Sequence, residues 1–293
     1  MTNSIVLVNM DTGSRININT SHGEYWLQSV DWGTVEANHH TFKYVDQIGV
    51  TLYNTTLEPR QVMITGWVAR ENEAEVKRMK QILNSLVNPK HTIRVIRGKY
   101  KIDIVPQTSV KYSTTYKENN EYMAKFLITG YCPYPLFTDL YDNVVSVAYT
   151  EPHFHFPLII PKTSGVILGV RQPSLIAEVN NLGDFPVGYT IEFKANGTVV
   201  NPSLVDIGSQ EFIKINKTME SGEIIRLYTQ EGQRHIVGIL GGVESNYFHY
   251  RTYDSSWLQL AVGQNLLRYD AEEGLSSLEV VITYNPGYLE VEE

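Results

Sequence analysis

The chain has 293 residues, 42% of them hydrophobic and 19% charged, with a formal net charge of −8. At roughly 100–200 residues per domain this length calls for two cores, and the 11% aromatic content excludes a disordered chain, which lacks the apolar area to offset ordering entropy. The acidic balance argues against general nucleic-acid binding, which needs clustered Lys and Arg, and a single cysteine, Cys132, rules out an internal disulfide or a thiolate metal site.

Nineteen tyrosines against six methionines favour strands, because tyrosine fits a pleated, half-buried surface. The start of the chain, Met-Thr-Asn-Ser-Ile-Val-Leu-Val, has neither the basic start nor the apolar h-region of a signal peptide. No apolar run reaches the ~20 residues that cross a bilayer. In chain order, Tyr25 to Trp32, Gly49 to Tyr53 and Gln61 to Val68 read as strands bounded by turn residues. Val76, Met79, Ile82, Leu83, Leu86 and Val87 then fall at helical spacing. Asn72 is placed as N-cap, with Glu75 close to a capping box, and Pro89 stops the turn. The prediction is one helix over about 72–87. Strands resume at Thr92 to Arg97, Tyr100 to Val105 and Tyr122 to Tyr131, with Arg97-Gly98-Lys99 as a tight connection. The polar stretch Lys111 to Glu121 reads as a protruding loop or long hairpin tip, and such loops serve as contact surfaces.

Cys132-Pro133-Tyr134-Pro135-Leu136-Phe137 reads as a domain junction, since two prolines fix the backbone and remove donors. The expected division is therefore 1–135 and 136–293. Beyond it the pattern is almost purely β: 157–161, 174–180, 189–195, 211–216, 223–229, 234–239, 257–260, 265–270 and 277–284. Asn196-Gly197 reads as a two-residue hairpin turn. Strands at such intervals with turn signals between them indicate a β-sandwich or jelly roll. The fold class is thus mainly β: a sandwich-like first domain with one helix, then a second sandwich.

Enzyme signatures are absent. There is no Gly-x-Ser-x-Gly, phosphate loop or His-Glu-x-x-His, and the Tyr-Cys-Pro setting of Cys132 suits a buried small hydrophobe. His153 and His155 share a face of an extended segment near Glu151, but no third ligand follows at a metal-site spacing. His39 and His40 would point to opposite faces. No catalytic, cofactor-binding or metal-binding residue is assigned. One aromatic cluster remains: Tyr247-Phe248-His249-Tyr250 with Tyr253 and Trp257. Tyr247, Tyr250 and Trp257 are candidates to stack on a sugar ring, against the alternative that alternating aromatics serve core and edge packing.

The second half carries an ordered set of strings: Asn180-Asn181-Leu182-Gly183-Asp184-Phe185-Pro186, then Tyr189-Thr190-Ile191-Glu192-Phe193, Val200-Asn201-Pro202, Glu220-Ser221-Gly222-Glu223-Ile224-Ile225, and Ser256-Trp257-Leu258-Gln259-Leu260 running on to Tyr269. In order and spacing this set resembles the C-terminal half of the distal tail proteins of long, non-contractile-tailed bacteriophages. The first half is similar in outline, closing on the aromatic-proline run at Cys132. The resemblance implies a ring-forming N-terminal domain and a galectin-like C-terminal sandwich, with no catalysis and no cofactor. It further implies a virion protein, assembled in the bacterial cytoplasm, that forms a hexameric ring at the tail tip. Such a ring would meet the major tail tube protein on one side and the tail-associated tip protein on the other. In some phages of this kind the C-terminal domains carry a receptor-binding protein, and DNA would pass through the hole without specific binding. A rival reading from another class is a carbohydrate-binding adhesion module recognising host cell-wall saccharide.

Overall fold

In strands of alternating polarity one face is driven inward, and here that alternation closes a barrel. The computed structural model describes residues 4–21, 23–147, 149–152, 169–172 and 176–291. His153, His155 and the expected strand at 157–161 lie outside the described residues. Two compact units result: 1–140 together with 288–293, and 141–287.

The first unit runs β1 (Ser4–Asn9), β2 (Arg15–Asn19), β3 (Tyr25–Asp31), β4 (Ala37–Phe42), β5 (Thr51–Leu57), β6 (Arg60–Ala69), α1 (Glu73–Leu86), β7 (Ile93–Arg97), β8 (Tyr100–Pro106), β9 (Lys111–Tyr112), β10 (Met123–Cys132) and β11 (Phe137–Asp139). Strands β8-β7-β1-β2-β3-β6-β10 are neighbours in that order, and β10 pairs back onto β8 through Gly130↔Pro106 and Tyr131↔Val105. The sheet is therefore a closed seven-stranded barrel, which removes most edges. Its interior is Ile5, Leu7, Ile18, Val62, Ile64, Val95, Ile104, Phe126 and Ile128, supplied by alternate residues of β1, β2, β6, β7, β8 and β10. Gly130 permits the closure, because a Cβ there would come within 2.5 Å of the Ile104 side chain.

Helix α1 forms as its apolar spacing requires. Asn72 Oδ1 accepts the Glu75 amide at 2.9 Å, satisfying one of the amides that an α-helix leaves unpaired at its start. Val76, Met79, Leu83 and Leu86 are its buried residues. The Tyr25 hydroxyl donates to Met79 O at 3.0 Å.

The second unit contains β12 (Asn143–Ser146), β13 (Tyr149–Pro152), β14 (Gly169–Gln172), β15 (Ile176–Asn181), β16 (Val187–Gly188), β17 (Thr190–Ala195), β18 (Val199–Val200), β19 (Ser203–Asp206), β20 (Phe212–Lys214), β21 (Thr218–Met219), β22 (Ile224–Tyr228), β23 (His235–Leu240), β24 (Val243–Asn246), β25 (Gln259–Leu260), β26 (Gly263–Asp270) and β27 (Leu278–Tyr284). A six-stranded sheet, β12-β27-β17-β22-β23-β24, and a four-stranded sheet, β15-β26-β19-β20, share one core built on Val179, Ile191, Phe193, Leu204, Leu227, Leu267 and Ile282. This is the expected sandwich.

Two local expectations change. The Asn196-Gly197 turn does not make a hairpin: neither residue adopts a positive φ, and β17 pairs with β22 and β27 instead of the β18 that follows. The Asn196 amide donates to Ser277 O at 2.8 Å, so long-range pairing overrides the local turn preference. The units also divide at Leu140/Tyr141 and not at 135/136. Phe137 is buried in the first core, and β11 pairs with β8 through Thr138↔Lys101. The chain then comes back: β28 (Gly287–Tyr288) lies beside β11, and Val291 joins the first core. Arg60 and Arg97 donate to the carbonyls of Leu289 and Val291 at 3.2 and 3.4 Å.

Candidate assembly surface

Most of the barrel obeys the alternation that buries one face, but β4 and β5 do not. They form a two-stranded sheet of their own, paired from Ala37↔Leu57 to Phe42↔Thr51. The Glu58 amide donates to Glu36 O at 2.8 Å across its base. Apolar side chains crowd its outer half while remaining in solvent. Val45 is 93% and Ile48 102% exposed, and Tyr44, Val50, Leu52 and Tyr53 are also exposed. Phe42 gathers Tyr44 and Tyr53, with ring centroids 4.9 and 6.2 Å away. An isolated two-stranded hairpin is marginal in water, and an exposed apolar patch marks an interaction site. This hairpin is the surface of the first unit that most needs a cover. The expected strand at 49–53 catches only part of β5, and nothing in the sequence reading paired it with 37–42. The signal is the density of Phe42, Tyr44, Val45, Ile48, Val50 and Leu52 in so short a stretch.

The stretch Lys111 to Glu121, expected to protrude, folds back instead. Lys80 Nζ donates to Asn119 Oδ1 at 2.6 Å, Asn119 Nδ2 to Ser113 O at 2.8 Å, and the Tyr112 hydroxyl to Lys80 O at 3.3 Å. Lys125 pairs with Glu118 at 3.0 Å. The Glu118 carboxyl lies below its usual range, chiefly through hydrogen bonds from Ser113 and Lys125. Polar density here serves internal bonding.

At the other end of the barrel strands, an open groove of about 730 Å³ runs beside α1, with Ala69, Met79 and Ile82 as apolar lining and Arg70, Glu75 and Arg78 among its charged residues. Glu24, which also lines it, pairs with Arg70 at 3.3 Å. A second depression past Glu24 shares Ile82 and adds Arg15.

In the second unit Tyr247 meets Tyr250 and Trp257 lies against Phe248, but other side chains crowd all three rings. Residues Phe248–Tyr250 form a 3-10 turn. The Tyr247 ring lies on Gly238, where a Cβ would come within 2.0 Å of it, and centres 5.1 Å from Tyr250. Lys217 Nζ sits 5.2 and 5.8 Å from the two tyrosine rings and pairs with the fully buried Glu223 at 2.9 Å. Burial and that carboxylate push the Tyr247 hydroxyl up to about 12. Trp257 is crowded by the guanidinium groups of Arg251 and Arg234 at 5.3 and 5.9 Å and by Phe248 at 5.9 Å. A sugar ring would have to displace these partners, which are already worth ~0.5–2 kcal/mol each. Leu260 is core, and Trp257 packs against the core from its edge.

Among the described residues, no group of three or more His, Cys, Asp or Glu is placed to hold a metal. His39 and His40 bond Thr55 and Thr56 across the hairpin at 3.1 Å each. Cys132 is buried; its thiol donates to Tyr134 O at 2.9 Å, and burial pushes it up to about 11.

Two family models match this chain: the phage tail protein RIFT-related domain over residues 12–132, and the C-terminal domain of the siphovirus-type tail component over residues 182–288. Between them they span most of the sequence, one on each unit. The chain belongs to the siphovirus-type phage tail component family and is a distal tail protein. No curated protein matches it. Among solved structures it is similar to the Dit protein (gp 19.1) of phage SPP1, described as a paradigm of the hub adsorption apparatus in phages infecting Gram-positive hosts. That likeness has 13% identity and a TM-score of 0.65, and covers 97% of this chain and 98% of the other. A second likeness is to a chain of the phage P2 baseplate in its activated conformation with Ca, at 10% identity and a TM-score of 0.52, over 98% of both chains. The shared fold extends over both units, and the protein is a structural component of the phage tail.

Proposed function

We propose that this protein forms a closed hexameric ring at the distal tip of a long non-contractile tail. One side of the ring joins the tail tube protein, and the other holds the tail-associated tip protein and any receptor-binding protein. DNA passes through the central hole without specific contacts, in keeping with a net charge of −8, since like charge opposes sticking. The role is structural throughout.

The observation that carries this reading is the hairpin at 37–57, whose apolar outer half is left largely in solvent among the described residues. A ring is built from heterologous, head-to-tail contacts that close by rotation, and a projecting apolar element supplies one half of such a contact. The test is the mass of the purified protein by light scattering after size exclusion, with negative-stain images of the same fraction. A six-fold ring with a central hole supports the reading. A stable monomer at micromolar concentration overturns it.

A further inference from the structure

Strands β3 and β6 are antiparallel, pairing Tyr25↔Val68 at one end and Asp31↔Met63 at the other. The chain leaves β3 at Asp31 to make the hairpin and re-enters β6 at Arg60. The α1 groove lies at the opposite end of the same pair, where Glu24 precedes β3 and Ala69 and Arg70 follow β6. At ~3.3 Å per residue, β6 separates the two by about 30 Å. We propose that the apolar tip of the hairpin, Tyr44 to Val50, seats in the α1 groove of a second copy of the chain. This deepens the ring reading and rests on it.

Three observations carry the assignment. First, hook and groove sit at opposite ends of one strand pair, which is the arrangement a head-to-tail contact needs. Second, the groove has an unburied apolar anchor. Ile82 is 38% exposed on a helix whose other exposed positions are polar or alanine, and it lines both depressions. Binding anchors are apolar side chains sunk into concave sites, and about 730 Å³ is the size of site that takes a compact group of side chains. Third, charge does not oppose the contact: Lys43 and Asp46 of the hairpin cancel, and the groove is of mixed sign (Glu24, Glu71, Glu75, Arg70, Arg78) with Glu24 and Arg70 already paired.

The test is a disulfide. A chain carrying both Ile48→Cys and Ile82→Cys is purified, its mass is measured, and it is oxidised and run on a denaturing gel without reductant. Cys132 stays in place because it is buried, and the unaltered chain and each single variant are controls. The expected result is a covalent ladder ending at the ring's subunit number, with each single variant remaining monomeric on the gel. A ring by light scattering that gives no ladder would overturn the groove assignment and leave the ring reading standing. A monomer by light scattering would overturn both. As a second arm, Ile82→Arg should convert rings to monomers without changing the unfolding curve. Rings of unchanged mass from that variant would also sink the groove.

Discussion

The hairpin at 37–57 and the aromatic cluster around Trp257 contain similar side chains put to opposite uses. In the cluster, every aromatic the sequence marked as a candidate already has a partner: Gly238 beneath Tyr247, Lys217 beside both tyrosines, two arginines around Trp257. In the hairpin, Val45 and Ile48 have none among the described residues. Aromatic density therefore says little about availability. What marks a contact surface is apolar area that its own chain leaves in water.

The comparison breaks most easily at the hairpin. Replacing Val45 and Ile48 together by Asp removes two apolar anchors, each worth ~1.5–3 kcal/mol when fully buried, and adds charge to the contact. Association should weaken by more than about a hundredfold, since ~1.4 kcal/mol is a factor of ten. Because both side chains are in solvent, the urea midpoint of the separated protomer should stay put. Light scattering and urea titration of the same preparation check the two halves. A lower midpoint with intact rings would mean that the hairpin serves the fold and not assembly.

The next largest effect belongs to the cluster's buried charge. Glu223 is fully buried and accepts from Lys217 Nζ and the Glu220 amide at 3.0 Å each. Burial pushes its carboxyl up, but hydrogen bonds from Lys217, Glu220 and Tyr247 outweigh that and hold it below the ordinary value. Removing one partner of a buried pair costs about 3–5 kcal/mol, so Glu223→Ala should destabilise the second unit by that much and loosen Lys217 from the tyrosines. A depressed folded-state value contributes stability that is present above the unfolded carboxyl's ordinary value, 4.5, and lost as pH falls through the folded value. Urea midpoints of the wild type should fall as pH drops below about 4.5, and Glu223→Gln should flatten that slope. An unchanged slope would show that Glu223 does not carry it.

Much of this was legible in the sequence because it is local. Val76, Met79, Leu83 and Leu86 announce α1 by spacing, and Asn72 announces its start. The runs at 189–195, 223–229 and 277–284 announce strands by alternation. What was not legible depends on distant partners. Barrel closure rests on two residue pairs, Gly130↔Pro106 and Tyr131↔Val105, which no local pattern encodes. Val291 belongs to the first core because β28 returns beside β11, so a cut after Pro135 misses it. The stretch 111–121, read as a contact loop, misleads for the same reason. Polar residues that look solvated, such as Asn119, find partners on α1, whereas an apolar residue such as Ile48 stays exposed among the described residues.

The smallest effects sharpen the comparison from the cluster's side. Trp257 is half-buried against the core edge and shares its surroundings with Arg234, Arg251 and Phe248, so Trp257→Ala should cost about 2 kcal/mol, less than the ~3–5 of a fully buried tryptophan. Tyr253, 101% exposed, packs on nothing among the described residues, and Tyr253→Ala should stay within about 0.5 kcal/mol. The informative quantity is the pairing of these stability changes with calorimetric titration of host wall saccharide into the wild type and both variants. If the rings are occupied, all three titrations are flat while stability falls for Trp257→Ala alone. Heat of binding in the wild type that disappears in Trp257→Ala would mean that a ligand displaces the arginines. The cluster would then be a second contact surface and not a packed edge.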